Sequence, residues 1–325
     1  MGYEVFLSEK GKLADKYKKV LEELGVEYEE GQHTEAKIFA ADVVVKSPGI
    51  PDKLPMIVGL REKGIEVISE IEFAGRHSDA KMYCITGSNG KTTTTLLLYH
   101  ILKEAGYDVG LAGNVGNSLA AQVADNLHCV YVVELSSFQL DGMFRFRCDT
   151  AILTNITPDH LDRYDYKFEN YANSKFRILN NMRAEDLFIY GNDCDVVRER
   201  VERGDIVPEM AGFTYSENDG LSAYTDGDTV VASWRERTFR IDKKDITIQG
   251  RHNVYNAMAA ILAALKAGVS DEDLRKGLTT FPQVEHRLET VDVVNGVTYI
   301  NDSKATNVDS AWYALDSMHA PVVWI

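Results

Sequence analysis

The stretch Lys81–Thr86, KMYCIT, reads as a strand and runs through GSNGKT into a helical pattern that continues to about Ala105. A strand, a tight glycine loop and a helix start in that order form a phosphate cradle: glycines let the backbone approach, successive N–H groups point inward, and the helix N-terminus adds about half a positive charge. Gly87, Ser88, Asn89, Gly90, Lys91 and Thr92 are therefore a candidate nucleotide loop, with Lys91 reaching terminal phosphates and Thr92 ligating Mg²⁺. The common pattern G-x-x-x-x-G-K-[ST] is not met, because the position five before Gly90 is Ile85. A plain glycine turn capped by Ser88 or Asn89 is the alternative, but such a turn does not require Gly-Lys-Thr at a strand-to-helix junction.

Further strand and helix patterns alternate around this loop. YDVGLA, CVYVVEL and DTAILTNI read as apolar strands of a doubly wound, mostly parallel central domain, and short alternating segments between Met210 and Gln249 suggest an antiparallel addition. HNVYNAMAAILAALKAG reads as a helix ending at Gly268. Upstream, YEVFLS, KLADKYKKVLEELG, the buried strand read in ADVVVKSPGIP and EVISEIEFAGR imply a small parallel sheet, with ligands expected near Ser8 and near Ser47, Pro48 and Gly49. Downstream, GVTYIND, a helix from about Asn307 to Met318 and a strand APVVWI restart the pattern. The expected fold is thus α/β: a partial Rossmann-like domain over 1–78, a central P-loop domain over 79–283, and the start of a third Rossmann-like domain over 284–325. The opening strand begins two residues after Met1 and the last strand has no covering helix, so a chain clipped at both ends is expected.

Composition narrows the function classes. The 325 residues are 45% hydrophobic and 26% charged, which suits a globular protein of two or three domains. The longest apolar run, Ala257–Leu265, is too short to span a bilayer, and no leader-like start is seen, so a cytoplasmic protein without membrane partners is expected. Cys84, Cys129, Cys148 and Cys194 show no C-x-x-C spacing, which argues against zinc and disulfides. A net charge of −15 disfavours nucleic acid, so anionic ligands must be held by local devices. G-x-G-x-x-G is absent, which removes the best evidence for a nicotinamide enzyme.

Other polar residues sit where strands end. Glu134 closes the apolar strand of VELSSFQL and would lie at the ligand edge, able to share a metal with Thr92 or to be a solvated strand end. ILTNITPDHLDRY places Asn155, Asp159, His160 and Asp162 after another strand; His160 is a candidate for a metal or a phosphate, and Asp159 for a helix cap. Lys175, Asn114, Asn253, Arg287, Asp302 and Lys304 have no distinguishing local signal, and Asn253 at a helix start is also a candidate cap.

In order, TGSNGKTTT, VELSSFQL, LTNITPDHLDRY, GRHNVYNA, EHRLE and NDSKATN resemble the Mur ligase family. That family's loop is T-G-[TS]-N-G-K-[TS], so Ile85 is expected in it. ELSSFQL and NDSKATN favour the member that joins D-glutamate to UDP-N-acetylmuramoyl-L-alanine in peptidoglycan precursor synthesis over other amino-acid ligases of the family, and over an unrelated P-loop ATPase or kinase. The resemblance implies that Gly87 to Thr93, Asn253, Arg287 and Asp302 serve ATP, and that Thr92 and Glu134 hold one Mg²⁺. It further implies that His160 and a CO₂-derived carbamate on Lys175 hold a second Mg²⁺, with Lys91, His160, Lys175 and Lys304 near the chemistry. Ser47, Asn114 and Ser136 would meet the UDP-sugar. The carboxylate would attack ATP to give an acyl phosphate, which the D-glutamate amine then opens. A monomer is expected. A chain clipped at both ends would bind ATP and part of the UDP-sugar yet stay catalytically silent. An ordinary lysine is neutral in only roughly one molecule in 10³ at pH 7, so carbamate formation requires burial or neighbouring cations.

Overall fold

The computed structural model describes residues 2–217, 220–284, 286–318 and 320–325, and its chain divides into two compact units, Met1–Ser69 and Glu70–Ile325. The first unit holds β1 (Phe6–Glu9), α1 (Asp15–Glu23), β2 (Glu27–Glu30), α2 (Glu35–Ile38), β3 (Val43–Val45), α3 (Pro55–Glu62) and β4 (Glu66–Ile68). Its strands form two separate parallel pairs, β1 with β2 and β3 with β4, where one sheet was expected. The expected buried strand at ADVVVKSPGIP is corrected too: Val43 and Val45 are exposed, because β3 has only β4 beside it among the described strands. Tyr3 to Val5 lie outside β1, which starts at Phe6.

The second unit opens with α4 (Glu70–Gly75) and is built on β5 (Lys81–Thr86), α5 (Lys91–Glu104), β6 (Val109–Gly113), α6 (Leu119–Ala124), β7 (Val130–Glu134), α7 (Ser137–Leu140) and β8 (Thr150–Leu153). It continues with α8 (Phe168–Phe176), β9 (Leu187–Gly191), α9 (Asp195–Glu202), β10 (Glu209–Phe213), β11 (Ala223–Asp226), β12 (Thr229–Trp234), β13 (Arg237–Asp242), α10 (Arg251–Ala267) and α11 (Asp271–Thr280). These strands make one sheet in the order β13-β12-β11-β10-β9-β8-β5-β7-β6, parallel from β6 to β11 and antiparallel across β11, β12 and β13. The antiparallel addition expected between Met210 and Gln249 is this edge; Asn218 and Asp219 of that segment lie outside the described residues.

Alternation along each strand assigns the two faces. Tyr83 and Ile85 of β5, with Val132 of β7, join the core under α5 and α10, whereas Met82, Cys84, Tyr131 and Val133 join the core on the other face. A strand covered on both sides must be apolar at every position, as β5, β7 and β8 nearly are. β5 lies between β7 and β8, and the chain passes from one side of it to the other. That reversal places the ends of β5, β7 and β8 along one crevice, the position at which open α/β sheets take ligands.

After α11 come β14 (Glu289–Val294) and β15 (Val297–Asn301), an antiparallel hairpin, and α12 (Val308–Asp316). The strand expected at APVVWI is not formed: residues 320–325 are irregular and none of the described strands pairs with them.

Candidate nucleotide cleft

The loop after β5 has geometry that only glycine tolerates at two points. Gly87 (φ 147°) would carry a Cβ 1.9 Å from Thr154 Oγ1, and Gly90 (φ 83°) one 2.3 Å from Asn256 Oδ1. Both positive φ values also disfavour other residues. The loop is stitched to the segment after β8. Asn89 N–H donates to Asn155 Oδ1 (2.9 Å), while Asn155 Nδ2 (3.1 Å) and Thr154 Oγ1 (2.6 Å) donate to the Asn89 carbonyl. Ser88 Oγ donates to the Thr157 carbonyl (2.8 Å), accepts from the Thr157 N–H (2.9 Å) and meets the Tyr171 hydroxyl at 3.0 Å. Ser88 and Asn155 thus shape the loop.

Two lysines converge on it. Lys91 Nζ donates to the carbonyls of Gly87 and Ser88, each at 2.8 Å. Lys175, on α8 and 2% exposed, donates to the same Gly87 carbonyl at 2.9 Å and approaches Thr86 Oγ1 at 3.3 Å. Burial, with the Lys91 ammonium beside it, holds the Lys175 amine well below the ordinary lysine range. Burial also lowers Lys91, against the opposing pull of the Glu134 carboxylate.

Glu134 ends β7 and is 1% exposed. Its Oε1 accepts from Asn114 Nδ2 at 2.7 Å, and its buried Oε2 has no hydrogen-bond partner among the described residues. A buried carboxylate oxygen left unsatisfied is costly, so a cation is the natural complement. Thr92, the second residue of α5, accepts from Arg287 Nη2 at 3.3 Å. Burial lowers Arg287 from its ordinary value, with Glu134 and then Asp302 opposing; burial raises Asp302, whose Oδ1 accepts from the Leu288 N–H at 3.1 Å. Glu134 thus offers an unsatisfied buried oxygen that suits a cation, while the Thr92 hydroxyl is engaged by Arg287.

The other expected site residues fall unevenly. Thr93, Asn253, Arg287 and Asp302 line a cleft of ≈ 1310 Å³ beside Asn89 and Gly90. Asn253 sits in the first turn of α10, where its Nδ2 donates back to the Gln249 carbonyl (2.8 Å) and its Oδ1 accepts from Asn256 (3.1 Å). Ser136 is taken up by a capping box with Gln139 at the start of α7. His160 has φ 50° and a half-exposed ring 5.3 Å from Phe138, and its backbone N–H donates to Asp159 Oδ1 at 2.9 Å; the cap position of the short helical turn Leu161–Arg163 is His160, not Asp159 as expected. Lys304 is exposed. Ser47 belongs to the first unit. Among the described residues no three His, Cys, Asp or Glu side chains group as a metal site.

Two residues escaped the sequence reading. Asn256, buried behind Gly90, accepts from Thr94 Oγ1 at 3.2 Å. Its signal was the i, i+3 spacing to Asn253, which puts both amides on one helix face. Tyr171, holding Ser88, had no local signal.

Comparison with known proteins now adds to this geometry. A family model for the Mur ligase middle domain matches residues 85–264, and one for the MurD N-terminal domain matches residues 1–54. The chain is 52% identical over 324 residues to the UDP-N-acetylmuramoylalanine–D-glutamate ligase of Bacteroides fragilis, covering 100% of this chain and 73% of that one. It is 51% identical to the enzyme of the same name from Christiangramia forsetii, with the same coverage. Among solved structures, the UDP-N-acetylmuramate-alanine ligase of Thermotoga maritima shares the fold at a TM-score of 0.57, with 20% identity over 96% of this chain and 71% of that one.

Proposed function

The chain belongs to the Mur ligase family, and from that premise we propose that its cleft takes ATP and Mg²⁺ to join D-glutamate to UDP-N-acetylmuramoyl-L-alanine. ATP-dependent ligation is the family's chemistry. The observation that carries the reading is the glycine loop at the sheet's reversal point, flanked by a buried carboxylate whose second oxygen is unsatisfied.

In this reading the substrate's alanyl carboxylate attacks the γ-phosphorus of ATP in line, ADP leaves, and the D-glutamate amine displaces phosphate from the resulting acyl phosphate. Lys91 exchanges its loop carbonyls for phosphate oxygens, while the N–H groups at the start of α5 face the same anion. Arg287, already at Thr92, adds a fixed cation where charge builds up. Asn253 and Asp302 serve the nucleotide from the cleft wall. Asn114 orients Glu134, and Asn114, Ser136 and the Ser47 loop serve the UDP-sugar; Lys304 and His160 act at the reacting groups. The domain division read from the sequence, 1–78, 79–283 and 284–325, remains part of this proposal.

Thr92 and Glu134 would hold one Mg²⁺, whose contribution when bound is to offset the charge on the triphosphate. A second ion would be held by His160 and a carbamylated Lys175. The Lys175 environment supports this chemistry: burial and Lys91 favour the neutral amine, which attacks CO₂ and releases one proton to leave an anionic carbamate. The His160 ring packs on Phe138. No described helix is long and apolar enough to cross a membrane, and a cytoplasmic monomer suits soluble substrates.

Calorimetric titration tests the reading. Saturable binding of ATP·Mg²⁺ is expected, abolished by Lys91→Ala while binding of UDP-N-acetylmuramoyl-L-alanine persists. Phosphate release that requires both that sugar and D-glutamate identifies the ligase. Absence of ATP binding by the unaltered chain refutes the assignment of the cleft.

A further inference from the structure

The segment that begins α12 touches the phosphate loop directly. Asn307 Oδ1 accepts the Ser310 backbone N–H at 2.9 Å, capping the helix, and Asn307 Nδ2 donates to Asn89 Oδ1 at 2.8 Å. The orientation of both amides follows from chemistry. A backbone N–H can only donate, so the atom of Asn307 facing Ser310 is its oxygen; its NH₂ then faces Asn89, which must present oxygen in turn. Meanwhile the Asn89 backbone is held from the β8 side by Asn155 and Thr154. Asn89 is thus clamped by its main chain to β8 and by its side chain to α12. Arg287 supplies a second tie, from the same downstream part of the chain to Thr92.

Asn89 and Gly90 form part of the wall of the ≈ 1310 Å³ cleft, and Ser310 and Ala314 of the α12 segment form another part of it. A ligand that fills the cleft meets both. Whatever holds the two parts together therefore favours the ligand, and the ligand must favour that hold by the same factor.

We propose that Asn307 is a positioning residue for the nucleotide step: through the Asn89 side chain it couples the placement of the α12 segment to occupation of the phosphate loop. The inference rests on the reading of that loop as the ATP site. Asn307 touches neither the phosphates nor the reacting carboxylate in this scheme; it acts through Asn89.

Asn307→Ser separates the two roles of the side chain. Serine still caps a helix but is too short to reach Asn89. Loss of one amide hydrogen bond predicts ATP·Mg²⁺ binding weaker by roughly 3- to 10-fold in calorimetric titration. Amide hydrogen exchange supplies a readout that a merely structural role would leave unchanged: nucleotide should slow exchange over residues 303–316 in the unaltered chain and no longer do so in Asn307→Ser. In a double-mutant cycle with Asn89→Ala, adding Asn307→Ser should weaken binding no further. Unchanged affinity, retained protection of 303–316, or additive losses in the cycle would each overturn the proposal. If the unaltered chain takes no ATP, both readings fall; if it binds and Asn307→Ser behaves identically, only this one does.

Discussion

Replacing Lys175 by methionine should stabilise the second unit, and by an amount that depends on pH. The folded-state amine is held well below the ordinary 10.5 by burial and by Lys91. Between the lowered value and 10.5 the unfolded chain carries the proton and the native one does not, so stability must rise with pH through that window. The slope is about 1.4 kcal/mol per pH unit for one proton; below the lowered value the penalty is constant. Methionine has no proton to lose and fills a similar volume. It also leaves nothing orphaned, since the Gly87 carbonyl keeps Lys91 as donor and Thr86 Oγ1 still donates to the Leu135 carbonyl at 2.7 Å. Urea unfolding at pH 8, 9 and 10 in CO₂-depleted buffer, followed by tryptophan fluorescence, is the assay, because Trp234, Trp312 and Trp324 all belong to this unit. The advantage of Lys175→Met should grow as pH is lowered from 10.5 toward the depressed value, by up to about 1.4 kcal/mol per pH unit, and level off below it. Parallel profiles, or a variant less stable than the parent at pH 8, would refute the placement of a neutral amine there.

Other outcomes follow from the same geometry. Gly87→Ala should cost more than about 2 kcal/mol in the same unfolding assay, because its Cβ meets Thr154 Oγ1 at 1.9 Å at an unfavourable φ. Glu134→Gln keeps the contact with Asn114 but halves the complement for a cation; it should raise the Mg²⁺ concentration that half-saturates ATP binding by about tenfold, as loss of a charged interaction of this class does. An unchanged Mg²⁺ dependence would remove Glu134 from the metal.

The central unit was legible because its signals are local. The strand-loop-helix at Lys81–Glu104, the apolar strands and the ends of α10 depend on periodicity and on glycine, which a single sequence displays. Lys175 was legible only through resemblance: nothing in FENYANSKF reveals that α8 turns this lysine toward a carbonyl 88 residues away. Ser136 and Asn253 show the converse, since residues inherited as ligand contacts are engaged in caps and turn bonds in the described structure. The two parallel pairs of the first unit and the irregular end at 320–325 departed from expectation for one reason: a strand is completed by its neighbours, and apolar runs do not state who those neighbours are.

The seam between the nucleotide loop and the segment after β8 also bears on how this protein is made. Its bonds link residues 65 to 69 positions apart. A ribosome that has released the chain only through α5 has therefore exposed every glycine of the loop but none of the groups that hold Asn89 and Ser88 in shape. Closing so long a loop costs entropy before any contact repays it. The capacity to hold a triphosphate is thus acquired in one step, when β8 enters the sheet beside β5, and a nascent chain cut before Thr157 should carry the motif without the affinity.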